Sequence, residues 1–83
     1  MVIRIGKRVE HVIDLIRLTL EADGGDIKLL RIDENRGVVH VRFTGRFLET
    51  PQAVETLRSG VEEALKREVP QIKEVVMAGR KLS

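Results

Sequence analysis

No cysteine occurs anywhere in the 83 residues. That excludes a disulfide framework, a thiol nucleophile, a zinc–thiolate site and an iron–sulfur cluster held by this chain's own thiolates. Extracellular domains of this size commonly need staples, so the cytoplasm is the expected compartment. Tryptophan and tyrosine are missing and phenylalanine occurs only twice. The aromatic platforms on which single-stranded nucleic-acid binders stack bases are therefore lacking. No apolar run approaches the ~20 residues of a transmembrane helix, and the N-terminus has no signal-peptide layout, so no membrane partner is expected. Charge of one sign is scarce too: 15 basic side chains face 13 acidic ones, for a net +2. Such a balanced surface does not by itself identify a nucleic-acid binder.

What is present describes one small domain over residues 1–83, with residues 1–6 and 79–83 peripheral to it. A chain of this length buries roughly 60% of its unfolded surface, which leaves a small core. From Lys7, Val9, Val12, Ile13, Ile16 and Leu20 recur at helical spacing, with Leu15 and Leu18 off to one side. Asp23-Gly24-Gly25 should stop that helix. Residues 27–32 and 38–44 read as strands. In the second, Val39, Val41 and Phe43 alternate against Val38, His40, Arg42 and Thr44. Asp33-Glu34-Asn35-Arg36-Gly37 has hairpin length.

Thr50-Pro51 has the chemistry of a helix start: a hydroxyl cap followed by a residue that needs no donor. Val54, Leu57, Val61, Ala64 and Leu65 carry the apolar stripe to a stop forced by Pro70. Gly60 interrupts this helix at a cost of about 1 kcal/mol, which predicts a close packing contact there. A last strand is expected over residues 72–78. The order is α-β-β-α-β, and the economical fold is an α+β two-layer sandwich with two helices on one face of a three-stranded sheet.

Several stretches resemble a known family. They are Val9-Glu10 to Ile16-Arg17, Leu20, Ala22-Asp23-Gly24-Gly25-Asp26, Val41-Arg42-Phe43-Thr44-Gly45 and Pro51. They continue through Thr56-Leu57, Gly60-Val61-Glu62, Ala64-Leu65-Lys66, Val69-Pro70 and Ile72-Lys73-Glu74-Val75. This register is similar to the NifU C-terminal, or Nfu, domain over roughly residues 9–78. The resemblance implies paired domains that share an iron–sulfur cluster on Cys-x-x-Cys loops and deliver it to apo-proteins. Here the cysteine positions fall on Phe47 and Thr50. A ring cannot ligate iron, and a threonine hydroxyl is a hard, poorly ionised substitute for thiolate. Leu18-Thr19 departs as well, where family members commonly carry a proline.

The strand-to-helix junction Gly45-Arg46-Phe47-Leu48-Glu49-Thr50-Pro51 is therefore the candidate site. No catalytic or metal site is expected there, and the family's cluster is expected to be lost. For Phe47 and Leu48 two readings stand: residues tucked into the core, or an exposed anchor for a second copy or a client protein. Thr50 is expected to serve as the cap. Asp23, Asp26 and Asp33 lack calcium-loop spacing, and His11 and His40 sit on separate elements. The expected partners are iron–sulfur assembly proteins or client apo-proteins, with a homodimer implied by the resemblance. The alternative is a basic nucleic-acid-binding module. One type of KH domain shares the α-β-β-α-β order, and Arg4-Lys7-Arg8 with Arg80-Lys81 would form its basic fringe. The Gly-x-x-Gly clamp of that domain is missing.

Overall fold

A computed structural model describes residues 5–45 and 50–77. The order is α1 (Ile5–Glu21), β1 (Asp26–Asp33), β2 (Val38–Thr44), α2 (Pro51–Glu68) and β3 (Glu74–Met77). The α-β-β-α-β order of an α+β fold is thus observed. The first helix starts two residues before Lys7, and the last strand is shorter than residues 72–78.

β2 lies in the middle of the sheet, antiparallel to β1 and parallel to β3. The parallel step needs a crossover, and α2 provides it. α1 packs on β1, α2 packs on β3, and the helices touch each other. Between the two layers lie Val9, Ile13, Ile27, Val39, Val41, Val61, Leu65, Val69 and Val75, all fully or almost fully buried. The alternation of Val39, Val41 and Phe43 seen in the sequence is the buried face of β2.

β1 breaks its own alternation. Leu29 pairs with Val41 and Arg31 with His40, so Leu30 is an extra residue in a β-bulge. The bulge moves the inward set from odd to even numbers: Ile27 and Leu29 precede it, and Ile32 follows. Leu30 is left 42% exposed. Without that extra residue the Ile32 side chain would turn away from the helices.

Gly37 closes the hairpin at φ +70°, a conformation that disfavours any side chain. Its N–H donates to the Asp33 carbonyl at 2.8 Å, and its own carbonyl accepts from Lys73 N–H at 2.7 Å. A Cβ here would run into the Gln71 carbonyl oxygen. One glycine therefore ends the β1–β2 turn and holds the entry to β3.

The free edges of the sheet belong to β1 and β3, and each is covered by an arginine–carboxylate pair. On β1, the Ile27 N–H donates to Asp26 Oδ1 at 2.7 Å, and its carbonyl accepts from Arg17 Nη2 at 3.0 Å. Arg17 also lies 3.1 Å from Asp26. On β3, the Val75 N–H donates to Glu62 Oε2 at 3.0 Å, and its carbonyl accepts from Arg58 Nη1 at 3.0 Å. Arg58 and Glu62 are themselves 3.0 Å apart. Side chains thus take the place of a further strand at Ile27 and at Val75, from α1 and β1 itself at the first edge and from α2 at the second, where an open ladder would invite pairing with another chain. Arg8 likewise caps the other helix, donating to the Glu68 carbonyl at the end of α2.

Candidate functional site

The junction between β2 and α2 lies at the carboxyl end of the central strand. β2 ends at Thr44, and Gly45 follows with φ +132°, in the half of backbone space that favours glycine. Arg46, Phe47, Leu48 and Glu49 lie outside the described residues. The chain is described again at Thr50.

Thr50 caps α2. Its backbone is extended (φ −119°, ψ 139°), and its Oγ1 accepts from the Ala53 N–H at 3.2 Å. Its carbonyl takes the Val54 N–H at 3.2 Å. Pro51 fills the first helical position without wasting a donor. The hydroxyl at the second of the two candidate ligand positions is therefore already bonded to the helix backbone.

Beyond the cap, a shallow surface runs over Thr50, Gln52, Ala53, Thr56 and Leu57. Thr56 and Leu57 also line an apolar groove between the helices, completed by Ile16, Leu20, Gly60 and Ala64. Gly60 makes none of the packing contact its cost suggested, because a Cβ added there would meet nothing within 4 Å. It faces the open groove instead. The off-stripe Leu15 and Leu18 of α1 are 53% and 65% exposed. The surface that starts at the junction thus continues as a small-residue, apolar trough along α2.

Other candidate residues do not gather there. His11 is on α1 and His40 on β2, and among the described residues no group of three or more His, Cys, Asp or Glu side chains is placed to hold a metal ion. Asp26 serves the β1 edge, and Asp33 accepts from the Arg36 N–H at 3.2 Å within the hairpin turn. Among the described residues, the titrating groups with displaced values are all in the Arg58 cluster. The Val75 N–H first, then Arg58 and Lys66, hold the Glu62 carboxyl below the usual carboxylate range against the opposing effect of its burial. Hydrogen bonding to Arg58 lowers exposed Glu55 likewise, and the two acids keep Arg58 firmly charged. In the sequence, Arg17 and Glu62 stand out only as part of the family register and Arg58 not at all, because the backbone groups they bond, on Ile27 and Val75, are set by the fold. The spacing of Glu55, Arg58 and Glu62 along α2 is the signal that points to that cluster.

The family described as the NifU-like domain matches residues 9–76. The chain belongs to the NifU-like domain family. Its relatives include NifU-like protein 2, chloroplastic, of Arabidopsis thaliana, 36% identical over 66 residues, which are 80% of this chain and 27% of that protein. NifU-like protein, mitochondrial, of Saccharomyces cerevisiae is 34% identical over 73 residues, 87% of this chain and 28% of the relative. The NFU1 iron-sulfur cluster scaffold homolog, mitochondrial, of Drosophila willistoni is 35% identical over 60 residues, 72% and 20% respectively. This NifU-like domain therefore spans about a quarter of the length of these relatives.

The donor set of this NifU-like domain does not fit an iron–sulfur cluster. It contains no thiolate, and the Thr50 hydroxyl accepts a backbone hydrogen bond.

Proposed function

We propose that this NifU-like domain is an accessory module of iron–sulfur cluster assembly that binds proteins and does not itself ligate a cluster. A kinship with proteins named as cluster scaffolds supports the pathway. The single observation that carries the reading is Thr50: the position of the second family cysteine caps α2 with its hydroxyl. A group already bonded to the helix backbone, and hard where iron–sulfur clusters take thiolates, is a poor candidate ligand.

The mechanism would be docking. Gly45, Arg46, Phe47, Leu48, Glu49, Thr50 and Pro51, together with the start of α2, would face an assembly protein or a client apo-protein. The trough over Thr56, Leu57 and Gly60 supports this reading, since it extends the junction with an apolar, contoured surface. The role is one of binding and requires no chemistry of the chain's own.

Anaerobic reconstitution with ferrous iron and sulfide tests the first half. The wild type is expected to show no cluster absorption, while Phe47→Cys/Thr50→Cys should acquire it by restoring Cys-x-x-Cys. A cluster on the wild type would overturn the reading. An anaerobic pull-down from lysate tests the second half, comparing wild type with Phe47→Ala/Leu48→Ala. Assembly factors retained by the first and lost by the second are expected, and equal retention by both would sink the assignment of the junction.

A further inference from the structure

The helices cover one face of the sheet, and the other face carries most of its cations. With Ile27, Leu29 and Ile32 turned inward, the strand register places Lys28 opposite Arg42 and Arg31 opposite His40 on the outer face. Lys28, Arg31 and Arg42 are exposed, and His40 is half-buried. None of the four takes part in an ion pair or side-chain hydrogen bond among the described residues. The bulge at Leu30 contributes to this clustering, because it brings Arg31, rather than Ile32, to the outer side.

Like charges directly opposite one another weaken a sheet. The Lys28–Arg42 pair is such an arrangement, and the register sets no carboxylate opposite either residue. Asp26 is occupied by Arg17 and the Ile27 N–H, and Asp33 by the hairpin turn. Half-buried Val38 and Val76 and exposed Leu30 share the face with the cations. The surface is thus basic with aliphatic spaces between its charges.

We propose that this open sheet face docks an acidic amphipathic helix of a partner protein across Lys28, Arg31, His40 and Arg42. Three strands span about 10 Å, close to the diameter of one helix with its side chains. A helix laid there would add the third layer that the fold itself lacks. Its carboxylates would meet Lys28, Arg31 and Arg42, with the His40 ring beside them, while its apolar side chains met Leu30, Val38 and Val76. Asp33 and Glu74, on either side of Val38, bound the basic patch at one end, so it suits a short acidic segment rather than an extended phosphate backbone. Among the described residues the face also offers no phenylalanine, tyrosine or tryptophan ring for a base to stack on. This surface shares no residue with the β2–α2 junction, so the proposal is tested apart from the role assigned there.

Amide NMR of the whole chain tests it, with a synthetic helical peptide of about 18 residues that carries Glu and Leu stripes and no cation. The expected result is shifts confined to Lys28, Arg31, His40, Arg42 and Val76. Binding should weaken by about tenfold or more in Arg31→Glu/Arg42→Glu, and by less in Arg31→Gln/Arg42→Gln. Retained amide dispersion in both variants shows that the fold survives. No shifts, or binding unchanged by the charge reversal, would overturn the proposal. Shifts confined to Gln52, Ala53, Thr56 and Leu57 would also overturn it, and would leave the docking role of the junction standing. A single-stranded oligonucleotide that displaced the peptide from these residues at equal salt and lower concentration would identify a nucleic-acid face instead.

Discussion

Arg58 on α2 reaches across to Val75 on β3 and donates to its carbonyl at 3.0 Å, while Glu62, one turn on, accepts the N–H of the same residue at 3.0 Å. Both backbone groups of one edge-strand residue are thus satisfied by a neighbouring ion pair. Leaving either group unmet costs about 1–3 kcal/mol.

Arg58→Ala should therefore lower stability by roughly 1–2 kcal/mol, read as a shift in the urea midpoint at unchanged slope. It should also bare the β3 edge, so sedimentation velocity should show more concentration-dependent self-association than in the wild type. An unchanged midpoint would mean that water serves Val75 as well as Arg58 does.

The same cluster sets an acid limit. The Glu62 carboxyl titrates below its ordinary value of 4.5 in the folded protein. A depressed folded pKa contributes stability that is fully present above about pH 4.5 and is lost as the pH falls through the lower folded value. Thermal melts from about pH 3 to pH 7 should show this decline in the wild type. Glu62→Gln should start less stable at neutral pH and decline less on acidification.

Two glycines should respond oppositely to the same change. Gly60→Ala should stabilise by about 0.5–1 kcal/mol, since the site is helical and an added Cβ meets open space. Gly37→Ala should destabilise by roughly 2 kcal/mol or more, because φ is +70° and the methyl would strike the Gln71 carbonyl. Parallel denaturant titrations check both signs at once.

Thr50→Ala should cost about 1 kcal/mol through the lost Ala53 bond, whereas Thr50→Ser should retain most of it. Chemical denaturation distinguishes them. If both variants match the wild type, Thr50 is not needed as a cap, and its place at the second ligand position requires another explanation.

Elements whose causes lie within one turn of chain were legible from the residues alone. The stripe from Val9 to Leu20, the stop at Gly24-Gly25, the Thr50-Pro51 start and the alternation of Val39, Val41 and Phe43 are of this kind. Their determinants are local hydrogen bonds and side-chain periodicity, which a sequence displays directly. The bulge was not legible. Ile27, Leu29 and Ile32 fit a single face only when Leu30 is displaced from pairing, and the pairing is set by β2. Gly60 pointed to a contact that does not exist, because helix propensity says nothing of what stands opposite.

The residues in order thus determined a small α-β-β-α-β domain of the NifU-like family in which thiolate ligation is chemically unavailable. Composition and short-range periodicity suffice for the element order and the missing thiolates, and the motif register carries the family, since none of these depends on where a strand finds its neighbour. Only the tertiary structure decided that β2 is central, that Arg17 and Arg58 cover the two edges, and that Lys28, Arg31, His40 and Arg42 meet on one open face. These are contacts between residues distant along the chain, 17 apart in the Arg58–Val75 pair and further in the β2–β3 pairing of Val38 with Glu74, and they exist only once the chain has paid the entropy of closing those loops.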